Sequence, residues 1–207
     1  SLMFITPVIV GQLQQNAYVV ACEQTKEAVI IDPGAEADRI YRVITFHGFK
    51  LTMIMNTHGH LDHVGAIAEL VEQTGVPFLM HRDDLYLIED IEKDPLQPYF
   101  QIKQPPMPTR FLEDGERIAV GKLEFLVLHT PGHTPGSVCF FAQRALFSGD
   151  TLFSGTVGRT DLPGGNKEQL LASIRQKLLP LGDNIRVYPG HAHVTTIGFE
   201  REHNPFL

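Results

Sequence analysis

Apolar positions along the chain fall into short runs separated by glycine, proline and aspartate. Residues 3–10, 17–21 and 28–31 are rich in Val, Ile and Tyr and are broken by Gly11 and by Asp32-Pro33-Gly34, which predicts three strands. Over residues 35–46 the period changes. Ile40, Val43 and Ile44 recur at helical spacing and Gly48 follows, so a helix is expected there. A short apolar strand at 51–55 runs into Asn56-Thr57-His58-Gly59-His60-Leu61-Asp62-His63. Ala66, Ile67, Leu70 and Val71 then mark a helix ending near Gly75, followed by a strand at 76–80.

Residues 92–110 hold Pro95, Pro98, Pro105, Pro106 and Pro108 and read as one long loop, more often a binding loop than filler. Strand patterning resumes at 117–120, 122–128, 137–141 and 145–148, and again at 185–188. Residues 155–165 are glycine-rich. A helix is expected over 166–178, with Asn166 as its N-cap and Leu170, Leu171, Ile174 and Leu178 on one face. Two blocks of strands, each with helices, predict a layered α/β fold rather than a simple βαβ series. We expect one domain over residues 3–207, with Ser1-Leu2 before Met3 as a cloning scar.

Composition narrows the function classes. The chain has 207 residues, 43% of them hydrophobic and 20% charged, as expected of a globular protein with a sizeable core. Its net charge of −7 argues against a broad nucleic-acid-binding surface. No apolar run is long enough to span a bilayer, and the start has neither the basic nor the long apolar region of an export signal. The only cysteines, Cys22 and Cys139, lie in apolar runs and read as small buried hydrophobes, which suits a reducing, cytoplasmic setting.

The candidate chemistry lies where predicted strands end. His58, His60, Asp62 and His63 follow one strand, His133 another, Asp150 a third and His191 a fourth. In layered α/β folds the carboxyl ends of strands converge on ligand sites. Imidazole and carboxylate together suit zinc, iron or manganese. A zinc site takes about four ligands, so seven donors point to two ions. In His58-Gly59-His60 an extended backbone puts both imidazoles on one side, where they grip one ion. Asp62 and His63 open the next helix, face elsewhere and grip a second, and Asp150 is the natural bridge.

The stretch Thr57-His58-Gly59-His60-Leu61-Asp62-His63 resembles the Thr-His-x-His-x-Asp-His signature of the metallo-β-lactamase fold superfamily. His133 in Thr-Pro-Gly-His-Thr-Pro-Gly-Ser, Asp150 in Ser-Gly-Asp and His191 in Pro-Gly-His extend the resemblance over essentially the whole chain. Within the superfamily it is most similar to short glyoxalase II-type, hydroxyacylglutathione hydrolase-like enzymes, through Gly158-Arg159-Thr160-Asp161 and the closing Glu200-Arg201-Glu202-His203-Asn204-Pro205-Phe206.

The resemblance implies a four-layer αββα sandwich with a dinuclear site at its edge. It implies His58, His60 and His133 on one divalent ion, Asp62, His63 and His191 on the other, and Asp150 between them. Zinc is the first expectation, with iron or manganese as alternatives. The implied reaction is hydrolysis of S-(2-hydroxyacyl)glutathione by a metal-bridging hydroxide. Asp150 and Asp62 are the catalytic residues, and Asp62 is also a possible proton acceptor.

Asp32, Thr57 and Ser137 adjoin strand ends and are expected to hold the ligand imidazoles in place. Arg159, Arg201, Asn204 and His193 are the candidates for substrate contact. Two features depart from the family. The sequence, ending at Leu207, does not show the basic helical region that holds glutathione in longer relatives, and Ala192-His193 stands where short relatives have Gly-Pro. Two other classes remain open. One is a mononuclear iron persulfide dioxygenase using His58, His133 and Asp150. The other is a broader metallo-hydrolase such as a lactonase or esterase.

Overall fold

A computed structural model describes residues 2–207; Ser1 of the expected scar lies outside the described residues. One sheet contains β1 (Met3–Val10), β2 (Gln15–Cys22), β3 (Glu27–Ile31), β4 (Lys50–Met55), β5 (Phe78–His81) and β6 (Arg110–Leu112), in that spatial order. Within it α1 (Ala37–Phe46), the pair α2 (Leu61–Val64) and α3 (Ile67–Thr74), and the short helices α4 (Leu85–Glu89) and α5 (Gln97–Phe100) fill the crossovers between the parallel strands β3 to β6. The second sheet holds β7 (Arg117–Val120), β8 (Leu123–His129), β9 (Val138–Ala142), β10 (Ala145–Gly149), β13 (Arg186–Pro189) and β14 (Thr195–Thr196), ordered β14-β13-β10-β9-β8-β7. A small hairpin, β11 (Leu152–Phe153) with β12 (Thr156–Val157), and the helices α6 (Lys167–Ser173) and α7 (Ile197–His203) complete the chain.

Strand parity explains the layering. Alternate residues of a strand point to opposite faces. In β2, Ala17, Val19 and Ala21 enter the core beneath α1 and α3, while Tyr18, Val20 and Cys22 enter the core between the sheets. In the second sheet Phe125, Phe140 and Phe147 face inward, and Leu128, Cys139 and Leu146 face outward onto Leu170, Ile174 and Leu178. Both faces are covered, so these strands read as continuous apolar runs rather than alternating ones. The four-layer αββα arrangement matches the expectation.

Several local expectations need correction. The helix expected around Ala66–Val71 is preceded by a separate turn of helix, because the Ala66 N–H donates to the Pro33 carbonyl instead of continuing the ladder. Residues 92–110 are not one loop. They hold α5, with Pro98 in its first turn where no N–H is required, and they end in β6. Gln97 ties this segment together, bonding the Ile102 N–H and carbonyl at 3.1 and 2.8 Å. Asn166 caps α6 through the Gln169 N–H as expected, but the helix widens to a π-helical turn over Ile174–Leu178. The glycine-rich stretch contains part of the β11–β12 hairpin, and β14 and α7 follow His191 where no element was expected.

Candidate metal centre

The strands carry all seven donors to one edge of the sandwich. β4 leads to His58 and His60, α2 carries Asp62 and His63, β8 leads to His133, β10 to Asp150 and β13 to His191. The donors form two groups whose ligand atoms lie within 4.8 Å of one another: His58, His60 and His133, and Asp62, His63, Asp150 and His191. Asp150 joins them. Its Oδ1 lies 3.2 Å from His63 Nε2, and its Oδ2 lies 3.7, 3.6 and 3.6 Å from Nε2 of His58, His133 and His191. Gly190 must lack a side chain here, since a Cβ would stand 2.7 Å from the His63 ring and run into Asp150 Oδ1.

Hydrogen bonds on the far side of each ring set which nitrogen faces inward. Asp32 is the hub. Its Oδ1 accepts the Thr57 N–H at 2.7 Å, and its Oδ2 lies 2.6 Å from Thr57 Oγ1 and 2.8 Å from His63 Nδ1. Thr57 donates to Asp32 and in turn stands 3.0 Å from His58 Nδ1. His133 Nδ1 meets the Arg159 carbonyl at 2.7 Å, and His191 Nδ1 meets the Leu13 carbonyl at 3.3 Å. These four rings therefore turn Nε2 toward the centre. His60 differs, pointing Nδ1 at His133 Nε2 only 3.0 Å away.

The arrangement fits a metal. His58 Nε2, His63 Nε2 and Asp150 Oδ1 are buried without a hydrogen-bond partner, a costly state for polar atoms that a bound cation would relieve. The two groups differ in charge. Burial, reinforced by the neighbouring His63, holds His58 well below the ordinary imidazole range, and burial beside His133 pushes His60 down to about 4. Burial also disfavours charge on His63 and His191, but the Asp62 and Asp150 carboxylates outweigh it. His63 is raised well above the usual range and His191 to about 9. The same cations offset burial at Asp62 and Asp150 and hold both ionised.

The remaining expected site residues separate. Asp32 and Thr57 touch ligand rings directly. Ser137 instead touches Thr134, whose N–H donates to its Oγ at 3.2 Å. Arg159 meets the site through its carbonyl, while its exposed guanidinium pairs with Asp161 at 2.7 and 2.9 Å. Arg201 bonds Asp183 Oδ1 at 2.9 Å and the Leu179 carbonyl at 2.6 Å. Asn204 donates to the Thr156 carbonyl and to Glu200, and His193 is exposed. The structure does not bring these last three side chains together with the donors.

Three positioning side chains were not anticipated. Asn56 Nδ2 bonds the His58 and His63 carbonyls at 3.3 and 2.8 Å. Asn16 Nδ2 donates to the Pro189 and Ala192 carbonyls on either side of His191, and Tyr18 Oη donates to Pro189 at 2.6 Å. For Asn16 and Asn56 the available signal was a polar residue at the edge of an apolar run, whereas Tyr18 lies inside one.

A family model described as the metallo-beta-lactamase superfamily matches residues 10–191. The chain is 41% identical to hydroxyacylglutathione hydrolase GloC of Haemophilus influenzae, over 96% of this chain and 95% of the relative. Its structure is similar to BLEG-1 B3 metallo-beta-lactamase, with a TM-score of 0.92, 38% identity and 99% of each chain covered. It is also similar to TTHA1623 in a di-iron-bound form, with a TM-score of 0.88, 44% identity, and 98% of this chain and 100% of that chain covered. Among the described residues no helix is long and apolar enough to cross a membrane. Sequence, fold and donor geometry agree: the chain belongs to the metallo-β-lactamase superfamily.

Proposed function

We propose that this chain is a dinuclear metal-dependent thioesterase that hydrolyses S-(2-hydroxyacyl)glutathione or a closely related small thioester. The observation that carries the reading is the position of Asp150, whose two oxygens face both donor groups while His58 Nε2 and His63 Nε2 lie buried beside it without a hydrogen bond. The similarity to GloC over nearly the full length of both chains supports the substrate class. Bound divalent ions would make a hydroxide available near neutral pH and stabilise the charge that builds on a thioester oxygen.

The chain's own residues supply the rest. The three-histidine and four-donor groups would each hold one ion. His60, Asp62 and His191 are only partly buried and line the open side, from which a substrate approaches. Asp62 is held ionised, with its Oδ2 3.1 Å from His191 Nε2, which suits it to a cation. The test is release of thiol from S-lactoylglutathione by metal-loaded protein, with Asp150→Asn as control. Absence of release by a protein holding two ions defeats the substrate assignment.

An iron-dependent oxygenase acting on glutathione persulfide is the second reading. The di-iron form of TTHA1623 supports iron at a site of this shape, and Nε2 of His58 and of His133 lie 3.7 and 3.6 Å from Asp150 Oδ2. The complete set Asp62, His63 and His191 favours hydrolysis. One iron per chain, with oxygen uptake on glutathione persulfide, would reverse the ranking.

A further inference from the structure

Asp84 is fully buried on the 3-10 turn Arg82–Asp84 that follows β5, outside the seven donors. Its carboxylate ties together two segments distant in sequence. Oδ2 accepts the Gly59 N–H at 3.0 Å and the Thr134 hydroxyl at 2.7 Å, and Oδ1 accepts the Gly136 N–H at 2.6 Å. Gly59 sits between His58 and His60, and Thr134 follows His133. Thus one carboxylate bridges the two loops that carry the three-histidine group.

The contact leaves no slack, because a Cβ on Gly136 would stand 2.7 Å from the Asp84 carboxyl carbon. Neighbouring contacts brace the same junction. His81 stacks on His129 with ring centres 4.2 Å apart, and His129 Nε2 bonds the Pro135 carbonyl at 2.9 Å. Tyr86 Oη donates to the Pro163 carbonyl at 3.4 Å, on the loop whose Arg159 carbonyl orients His133. None of the contacts of Asp84 reaches Asp62, His63, Asp150 or His191.

Asp32 holds the other side, reaching His63 directly and His58 only through Thr57. We infer that Asp84 is a positioning residue for the ion of the three-histidine group, setting the separation of His58 and His60 from His133 and so the occupancy of that position independently of the four-donor group. The inference rests on the two-ion reading above. Its chemical basis is that a carboxylate accepts from both loops at once. An amide at the same place would turn its NH2 toward the Gly136 N–H, losing that bond, or toward the Gly59 N–H and Thr134 hydroxyl, losing the bond that holds the His58–His60 loop, so in either orientation the brace between the loops is weakened.

The test is metal affinity measured by competition with a chromogenic chelator, with the visible spectrum of the cobalt-loaded protein as a second readout. Asp84→Asn should weaken one of two ions by about 10–100-fold, leave the other unchanged, and alter one cobalt component. Thr134→Val, which removes one of the three bonds, should give a smaller loss at the same ion, and it serves if Asp84→Asn does not fold. Equal weakening of both ions, or of neither, overturns the inference. A wild-type protein that takes a single ion overturns the two-ion reading instead; an unchanged affinity for that ion in Asp84→Asn would then also overturn the role of Asp84. Loss of thioesterase activity with site-selective binding intact touches only the substrate.

Discussion

The two donor groups share a wall of the same sandwich yet are built on opposite electrostatic principles. The three-histidine group contains no carboxylate of its own. Its rings are crowded together, with His58 and His60 held neutral by burial and by neighbouring imidazoles. The four-donor group carries two carboxylates, and these hold His63 and His191 as cations when no ion is bound. In the first group burial keeps His58 and His60 from taking up an extra proton. The other stores its proton charge inside internal ion pairs, which an arriving cation must displace. If each group takes an ion, binding at the first would be limited by how close the rings are held and at the second by pH.

Removing the residue common to both groups should have the largest effect. Asp150→Asn should lower thioester turnover by about 10³-fold or more, several kcal/mol of transition-state stabilisation, measured as thiol release at saturating metal. Asp32→Ala should come next. It strips His63 of a partner at 2.8 Å and releases Thr57, so both ions should weaken, by about 10–100-fold each, in the chelator assay. Weakening confined to one group would show that the hub does not couple them.

Acidity should separate the groups most sharply. Lowering the pH from 9 toward 6 adds a proton to His191, so affinity at the four-donor group should fall by roughly tenfold per pH unit for each proton displaced. His60 should become protonated only as the pH nears about 4, so the three-histidine group should lose metal at lower pH than the four-donor group. Metal content across a dialysis series reads both. Stability of the metal-free protein should move in the opposite sense to metal affinity at the four-donor group. The folded pKa of His191 is raised, so its contribution is complete below an unfolded value of about 6.5 and is lost as pH rises through about 9. Thermal unfolding in chelator should therefore show a decline across that window. The smallest effect is expected from Arg201→Ala, which breaks an exposed pair with Asp183 and should cost about 0.2–1 kcal/mol with metal content unchanged.

Much of this centre is legible in the sequence for a simple reason. Four donors crowd into residues 58–63, and the other three each follow a strand beside glycine or proline, so chemistry and local structure coincide. Asp32 and Thr57 are legible because they adjoin strand ends. Asp84 is not, because it follows β5 in a polar stretch, Arg82-Asp83-Asp84, that looks like a solvated turn. Arg201 and Asn204 illustrate the reverse. Their charge and polarity suggest a ligand, but their partners Asp183, Leu179, Thr156 and Glu200 use them to fasten α7. The helix around Ala66 broke for a similar reason, since the Pro33 carbonyl competes for its N–H.

Local pattern by itself determined most of the strands, the helices α1, α3 and α6, the layered class and the choice of the seven candidate donors. Those properties depend on side-chain periodicity and on residue types at short spacing, which a chain carries wherever it is. Only the tertiary structure decided which nitrogen each ring turns inward, which histidines are neutral and which cationic, and which buried carboxylate clamps which loop. Those outcomes depend on desolvation and on partners up to 178 residues away, as between Leu13 and His191, and such distances close only when both sheets have packed.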